Sequence, residues 1–353
     1  MNIIRVDGRF RLQEKLGDGS YDVINNKEVA IKLEPCNRCP SSLEHEFSVL
    51  KKLEGGVGFP QPIWFGRESA YYALVLDNLG ASLHNILASQ GHQFSLCDIL
   101  TLGNQLISRL EFMHSRNYIH RDIKPTNILI GHGDFKNTTF LIDFGISKEF
   151  RDSATRAHIP FHQNHSFVGT PAFTSINHHL GFESGRRDDI ESLAYTLIYL
   201  LCGSLPWFNK DTPSLSNDAI LKLKQDIPAE ILCCGIPLEF ATLLTYSRSV
   251  KFAQKPDYNY LHALLQNYDI IDWAVQRRRW VTVTSNCRVK NTRSLSERCI
   301  GRRAAGASSR GASRNLSLQL DRQYPSTCKI NSRHWLHQAK TRFLSLFKGV
   351  PLV

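Results

Sequence analysis

The spacing of apolar residues changes once along the chain, from strand-like to helix-like, and this change most constrains the fold. The strand-like runs of the first part are Phe10–Leu16, Glu28–Lys32 and Tyr71–Leu76. One helical segment, Ser42–Leu53, lies between them and stops at two glycines. From Ser95 onward the spacing is mostly helical. A strand-rich part of ~80 residues before a helix-rich part of ~190 predicts an α+β protein with two lobes, residues 1–79 and 80–273.

The positive charge of the chain is concentrated in residues 274–353. This part holds 17 of the 43 Lys and Arg residues but 2 of the 32 Asp and Glu residues, which leaves the first 273 residues with 26 basic and 30 acidic ones. A like-charge excess without apolar periodicity predicts a disordered tail, in which His334–Lys348 could form a short amphipathic helix. The charge favours acidic partners, an anionic membrane surface or nuclear import, and composition does not choose among them.

Several classes of protein are not expected. Met1–Phe10 lacks the apolar stretch of a signal peptide, and the longest apolar run, around Leu193–Cys202, is about half of the ~20 residues that a membrane span needs. Nine scattered cysteines predict reduced thiols and an intracellular protein, cytoplasmic, nuclear or both. Cys36 and Cys39 have no second pair at zinc-ribbon spacing, and the tail has no zinc-finger, RRM-type or helix-turn-helix signature. Neither zinc nor nucleic acid is therefore expected.

Three short segments carry the side chains best suited to chemistry. They are Val29–Lys32 (VAIK) on a predicted strand, His120–Asn127 (HRDIKPTN) in a loop after a helix, and Asp143–Gly145 (DFG) after a short apolar strand. Each alone is a weak signal, because a lysine on a strand is usually a solvated edge residue and an Asp-Phe-Gly tripeptide arises by chance. In this order and spacing, the three match the signature set of protein kinases.

Phosphoryl transfer explains why these residue types are present. The reaction needs cations over the phosphates of ATP, a divalent metal, and a base near the accepting hydroxyl. Lys32 is predicted to contact the α- and β-phosphates while an ion pair with a helix carboxylate holds it. Glu44 and Glu46 are the candidates, and counting back from the two glycines favours Glu46. Asp122 is the predicted base.

The remaining predicted roles concern metal and phosphate. Asn127 and Asp143 offer the hard oxygen ligands that suit Mg²⁺. Lys124, two residues after Asp122, is what serine/threonine kinases use to stabilise the transferred phosphoryl group. The turn between the first strands is predicted to cover the phosphates through Gly17, Gly19 and Ser20.

The later motifs narrow the resemblance. Ser175–Asn177 (SIN) stands where most protein kinases have Ala-Pro-Glu, and Arg186–Leu193 (RRDDIESL), Gly203–Trp207 (GSLPW) and Lys255–Tyr258 (KPDY) follow. With the preceding motifs, this set resembles the casein kinase 1 family of serine/threonine protein kinases from about Arg9 to Trp273. The resemblance implies a bilobal protein-kinase fold with a small β-rich N-lobe and a larger helical C-lobe. It also implies ATP, Mg²⁺ and protein substrates with serine or threonine acceptors, and we expect a monomer.

The resemblance also suggests roles around the nucleotide. Adenine is expected to lie against Ala30, with Leu76 as the gatekeeper and Asp77–Leu79 as the hinge between the lobes. Asp189 is expected to be a buried helix carboxylate that braces the catalytic loop and takes no part in the reaction.

Two departures from the family pattern stand out. The loop Gly17–Tyr21 (GDGSY) lacks the third glycine of Gly-x-Gly-x-x-Gly-x-Val and runs ~7 residues short, which leaves only Tyr21–Ile24 for the second strand of the hairpin. The relatives' basic residues that bind a phosphate already on the substrate correspond here to His165 and Ala172. The Ser214–Asn217 region (SLSN) also lacks the family's lysine-rich run.

These observations leave three functions open. The intact motif residues favour an active casein kinase 1-like enzyme, and the short glycine loop favours a catalytically impaired kinase-fold scaffold or regulatory protein. A nucleic-acid binder led by the basic tail is the third and has the least support, because the tail carries no recognised motif.

Overall fold

A computed structural model describes residues 5–16, 19–24, 27–36, 40–89, 94–208 and 215–266. The chain divides into two units, Met1–Val289 and Lys290–Val353, and every described residue belongs to the first. The predicted tail of residues 274–353, its segment His334–Lys348 and Cys39 therefore lie outside the described residues.

The first lobe is one antiparallel sheet with a single helix. Its strands are β1 (Arg5–Val6), β2 (Phe10–Leu16), β3 (Gly19–Ile24), β4 (Lys27–Pro35), β5 (Pro62–Glu68) and β6 (Tyr71–Asp77), and they lie in the order β1-β2-β3-β4-β6-β5. Helix α1 (Ser42–Lys52) connects β4 to β5 and packs against β6. The strand-rich N-terminal part predicted from the sequence is thus confirmed.

Local chemistry fixes where α1 begins. Ser41 is the N-cap, and its side chain accepts a hydrogen bond from the Glu44 amide. The buried Glu34 carboxylate on β4 accepts from the Ser41 hydroxyl at 2.8 Å and from the Leu43 amide at 3.1 Å. Burial acts to raise the pKa of Glu34, but these hydrogen bonds outweigh it and lower that pKa. The strand that carries Lys32 and the helix that carries Glu46 are therefore joined by a charged cap.

The second lobe is helical. Its helices are α2 (Leu83–Ser89), α3 (Leu96–Ser115), α4 (Ile176–His179), α5 (Arg186–Cys202), α6 (Asn217–Asp226), α7 (Ala229–Leu232), α8 (Leu238–Ser249) and α9 (Tyr258–Gln266). Four short strands accompany them, with β7 (Tyr118–Ile119) paired to β10 (Lys148–Glu149) and β8 (Ile128–Ile130) paired to β9 (Thr139–Leu141). Nearly every residue of α5 is buried, and it packs between α3 and α8. Within the described ranges, no helix has the length and apolar character needed to cross a membrane.

The second strand of the first hairpin differs from its prediction. It spans Gly19–Ile24, six residues, and not the four residues Tyr21–Ile24. Leu16 pairs with Gly19 across the hairpin, so the strands are joined through Gly17 and Asp18 alone. The prediction assigned Gly19 and Ser20 to a loop because they match the start of the kinase glycine-loop pattern, but pairing with β2 and β4 outweighs their weak intrinsic strand preference.

Candidate active site

An ion pair inside the strand lobe joins β4 to α1. Lys32 Nζ lies 2.7 Å from Glu46 Oε1 and 2.8 Å from Oε2. Glu46 is buried, whereas the alternative Glu44 is exposed. Burial acts to lower the pKa of Lys32, but attraction by Glu46 and Asp143 outweighs it and raises that pKa. Lys32 is therefore a cation held in one place.

Asp143 reaches the same ammonium group from the helical lobe. Its Oδ1 lies 3.6 Å from Lys32 Nζ, and its side chain is 47% exposed. The amide of the next residue, Phe144, donates to Glu46 Oε1 at 3.3 Å. Asp143 has a φ of 70°, in the left-handed region that Asp tolerates better than most residues. The geometry places a partly exposed carboxylate in an ion pair with a fixed cation.

The predicted nucleotide-side residues lie on neighbouring strands. Ala30 pairs with Leu76 on β6, and Asp77 ends that strand. Asp77 Oδ2 accepts a hydrogen bond from the Gln61 amide at 3.1 Å. Leu79 is partly buried in the connection from β6 to α2. These positions form one edge of the boundary between the lobes.

Only part of the predicted phosphate-covering turn is described. Gly17 lies outside the described residues, and Gly19 and Ser20 lie in β3. Ser20 pairs with Ile31, so the end of the hairpin is level with Lys32 along the sheet.

A compact hydrogen-bonded group surrounds Asp122. Thr170 Oγ1 donates to Asp122 Oδ1 at 2.9 Å, and Lys124 Nζ lies 2.6 Å from Asp122 Oδ2 and 2.8 Å from Thr170 Oγ1. Asn127 Nδ2 donates to Asp122 Oδ2 at 3.1 Å and to its backbone oxygen at 3.0 Å. A carboxylate, an ammonium and a hydroxyl therefore form a triangle.

The backbone of this loop is held from the helical core. Asp189 on α5 accepts hydrogen bonds from the amides of His120 and Arg121, both at 2.9 Å. His114 Nε2 donates to the same carboxylate at 2.7 Å. Burial acts to raise the pKa of Asp189, but the His114 hydrogen bond and its other partners outweigh it and lower that pKa. An ionised, buried carboxylate thus holds Arg121, whose φ is 71°.

The donor set suits a partly hydrated magnesium ion. Mg²⁺ usually binds proteins through one or two carboxylates, keeps several waters, and takes further oxygens from phosphates. Asp143 supplies an exposed carboxylate. The side-chain nitrogen of Asn127 donates to Asp122, so the side-chain oxygen of Asn127 can bind a cation. Across the described residues there is no group of three or more His, Cys, Asp and Glu side chains that could hold a metal by itself.

A second charged cluster, formed by Lys148, His165 and Glu183, lies along the segment after Asp143. Glu183 Oε1 lies 2.8 Å from Lys148 Nζ, and Glu183 Oε2 lies 2.9 Å from His165 Nε2. Burial acts to raise the pKa of Glu183, but Lys148 and His165 outweigh it and lower that pKa. Ala172 is buried nearby in sequence and carries no charge. His165 therefore already has an internal anionic partner.

The Ser-Ile-Asn segment is bound to the start of α5. Ser175 Oγ donates to Asp188 Oδ1 at 2.7 Å, and Asn177 Nδ2 lies 3.3 Å from the same oxygen. The Ile176 amide donates to Glu191 Oε1 at 3.3 Å. Burial raises the pKa of Asp188 to about 6, although hydrogen bonds from Gly185 and Ser175 oppose it.

Two histidines of α4 predict acid sensitivity. Burial lowers the pKa of His178 and of His179 to about 4 each, with Arg121 and Lys224 respectively adding to the effect. Between pH 6.5 and 4 these histidines bind protons in the unfolded chain but not in the folded one. The free energy of unfolding therefore decreases as the pH is lowered, by up to about 3 kcal/mol for buried His178. Asp188 has a raised pKa and binds its proton in the folded chain first, which acts in the opposite direction. It binds one proton, whereas the two histidines bind two, so the destabilising effect is larger. We expect lower stability at pH 5.5 than at pH 7 in denaturant titrations.

The matched variants for this prediction are His178→Gln and His132→Gln. His132 is exposed, so its variant keeps the pH dependence of the wild type, whereas His178→Gln flattens it. Equal pH dependence in all three proteins would contradict the assignment.

Three residues with polar contacts in or near the site were not predicted as part of it. Thr170 bonds to both Asp122 and Lys124, Glu183 neutralises Lys148, and Lys224 on α6 is fully buried. For Thr170, the neighbouring glycine in the sequence was a usable signal. The structure requires glycine at position 169, because its φ is 86° and a Cβ there would lie 2.9 Å from Arg121 O. Glu183 and Lys224 have no local signal.

The strand lobe carries a Lys–Glu pair, and the helical lobe carries an exposed Asp and a Lys–Asp–Thr triangle. This combination is typical of a two-lobed phosphotransferase. The protein kinase domain family model matches residues 10–250. The chain therefore belongs to the protein kinase domain family, and its bilobal fold is the one predicted from the sequence.

Proposed function

We propose that this protein kinase transfers the γ-phosphoryl group of ATP to serine or threonine of protein substrates, as casein kinase 1 enzymes do. The observation that carries the proposal is the triangle of Asp122, Lys124 and Thr170, 2.6–2.9 Å on each side. A lysine two residues after the base is the serine/threonine pattern, and the Ser175–Asn177 segment supports the narrower family.

The chain's own groups divide the work. Lys32, held by Glu46, would bind the α- and β-phosphates, and Asp143 with Asn127 would hold Mg²⁺, which neutralises developing charge when bound. Asp122 would orient the acceptor hydroxyl and take its proton at a carboxylate oxygen. Both oxygens of Asp122 already accept hydrogen bonds, so the acceptor would share Oδ1 with Thr170 or displace it.

Lys124 would stabilise the group in transfer. Its ammonium lies 2.6 Å from Asp122 Oδ2 and is bonded to Thr170 as well, so it is oriented before substrate arrives. Fixed charge of this kind costs no reorganisation during the reaction. Ala30, Leu76 and Asp77–Leu79 would contact the adenine end, and Gly17, Gly19 and Ser20 would cover the phosphates.

The alternative is a kinase-fold scaffold or regulator with poor turnover. The observation that favours it is the hairpin, which joins Leu16 to Gly19 through two residues only. The contacts of Lys32, Asp122 and Lys124 support slow catalysis as the better expectation.

The test is phosphorylation of a mixed protein substrate by the full chain with Mg²⁺ and labelled ATP, followed by phosphoamino-acid analysis. Phosphoserine or phosphothreonine, lost in Asp122→Asn, would support the proposal. Phosphotyrosine alone would overturn the substrate class, and ATP binding without transfer would favour the scaffold.

We expect little preference for substrates already phosphorylated upstream of the acceptor. A phosphate needs free cations, but His165 is paired with Glu183 and Ala172 has no charge. Each missing charge-assisted hydrogen bond forfeits ~1.5–3 kcal/mol. The measurement is kcat/KM for matched primed and unprimed peptides at pH 7, and an advantage of a hundredfold for the primed peptide would refute this expectation.

The basic tail, residues 274–353, is proposed to contact acidic partners and to have no part in transfer. Its excess of positive charge supports this role. Removing these residues should leave kcat/KM for a neutral peptide within about twofold, and a loss of peptide phosphorylation would contradict the division of roles.

A further inference from the structure

Lys224 is a fully buried lysine to which the proposed reaction gives no role. It lies on α6, and its side chain is 0% exposed. Its Nζ donates to Pro171 O at 2.8 Å and to Thr174 O at 2.5 Å, and lies 3.3 Å from His179 Nε2. His179 Nε2 itself donates to Pro171 O at 3.0 Å, so the hydrogen-bond acceptors of the ammonium group are the two carbonyls.

Two aromatic rings complete the surroundings of this ammonium. Its Nζ lies 4.7 Å from the ring centre of Tyr195 and 5.4 Å from that of Trp207, distances at which cations are attracted to ring faces. Burial lowers the pKa of Lys224 to about 7, while Glu191 opposes and Arg248 adds to the effect. A buried lysine that satisfies this many partners is not a solvated surface charge.

Both carbonyl partners belong to one short loop, residues 170–174. Trp207 Nε1 donates to a third carbonyl of the same loop, Ala172 O, at 2.8 Å. The start of the loop is Thr170, whose hydroxyl bonds to Asp122 and Lys124. The loop is thus held at one end by the proposed base and along its length by Lys224 and Trp207.

We infer that Lys224 is a positioning residue that sets the shape of the 170–174 loop and thereby the binding of the acceptor segment of the protein substrate. The inference rests on the proposed function, because it takes Asp122 as the group that the acceptor hydroxyl approaches. Lys224 touches neither Asp122 nor Lys124 in any contact of the described residues, so its effect passes through the loop backbone.

The test compares Lys224→Met with Lys222→Met in the full chain at pH 6, where the Lys224 amine is protonated. Met keeps the length of the side chain and removes the donors, and Lys222 is exposed on the same helix. We expect Lys224→Met to raise KM for the acceptor peptide at least tenfold, with KM for ATP within twofold of the wild type. Lys222→Met should change neither.

A second measurement does not depend on catalysis. Hydrogen exchange at the Phe173 and Thr174 amides, which donate to Thr170 O at 3.0 and 3.1 Å, should speed up at least tenfold in Lys224→Met. Trp207→Phe removes the donor to Ala172 and makes the ring beside Lys224 smaller, and it should show the same change to a smaller extent.

The outcomes separate this inference from the proposed function. A folded Lys224→Met protein with unchanged exchange at these two amides would overturn the inference, and so would equal increases in KM for peptide and for ATP. If Lys224→Met does not fold, unchanged exchange and peptide KM in Trp207→Phe would overturn it. A wild-type protein that phosphorylates nothing would refute the proposed function, while the exchange measurement would still decide the role of Lys224.

Discussion

Asp143→Ala is expected to reduce kcat/KM for peptide phosphorylation about a thousandfold, the largest effect of any single change considered. The carboxylate is exposed beside Lys32 and is proposed to hold the metal, so its loss removes charge neutralisation where negative charge develops. Little packing is lost. The φ of 70° adds a smaller effect on stability, about 1 kcal/mol, because alanine tolerates the left-handed region less well than aspartate.

Two further variants separate chemistry from stability. Asp143→Asn keeps the side-chain shape and the tolerance of positive φ, so it should lose the same activity with only the small decrease in stability expected from the lost ion pair with Lys32. Asp134→Ala removes an exposed carboxylate outside the site and should keep full activity. Wild-type turnover in Asp143→Asn would show that the metal assignment is wrong.

The second large effect concerns ATP affinity. Ser20 is paired with Ile31, so Gly19 is level with Lys32 and only Gly17 and Asp18 can extend beyond it. Two residues span at most ~7 Å, which limits how many backbone amides can wrap the γ-phosphate. Each lost contact to a charged oxygen weakens binding by ~1.5–3 kcal/mol. We therefore expect a KM for ATP at least tenfold higher than that of the same chain with a lengthened loop.

The structure shows where the loop must be lengthened. Tyr21 and Asp22 are paired with Ala30 and Val29, so an insertion between them would break the ladder. A glycine-rich insertion between Gly17 and Asp18 extends the end level with Lys32 and should lower the KM for ATP. The control inserts the same segment between Asn25 and Asn26, at the opposite end of β3, and should not. A low-micromolar KM for ATP in the unmodified chain would contradict this account.

The strand and helix positions were largely predictable from local pattern. The run Phe10–Leu16 and the helix from Ser42 match their predictions at both ends or within one residue. β4 instead continues to Pro35, because its ladder with β6 extends until Pro35 meets Tyr71. That partner is 36 positions away in the chain, so no local window contains the information.

The residues of the site also fall into those that a local pattern predicts and those that only the folded chain brings together. Lys32, Asp122 and Asp143 sit in short motifs, which a single sequence can display. Thr170 and Lys224 act across 48 and 53 positions through bonds to Asp122 and Pro171, and such pairs exist only once the chain has folded. Glu46 was separable from Glu44 only by counting along a helix, since the two differ in which face of α1 they occupy.

Arg121 and Asp143 both have left-handed backbone conformations, and at position 143 the residue that best suits the backbone is not the one that suits catalysis. Glycine at either position would remove conformational strain and, on backbone grounds alone, favour the folded chain. At position 143 the same replacement would delete the proposed metal ligand. A related protein that uses this fold only for binding would thus gain stability from glycine at position 143. A related protein that catalyses phosphoryl transfer must keep the strained aspartate. The side chain at position 143 in related sequences would therefore distinguish retained catalysts from folds reused for binding.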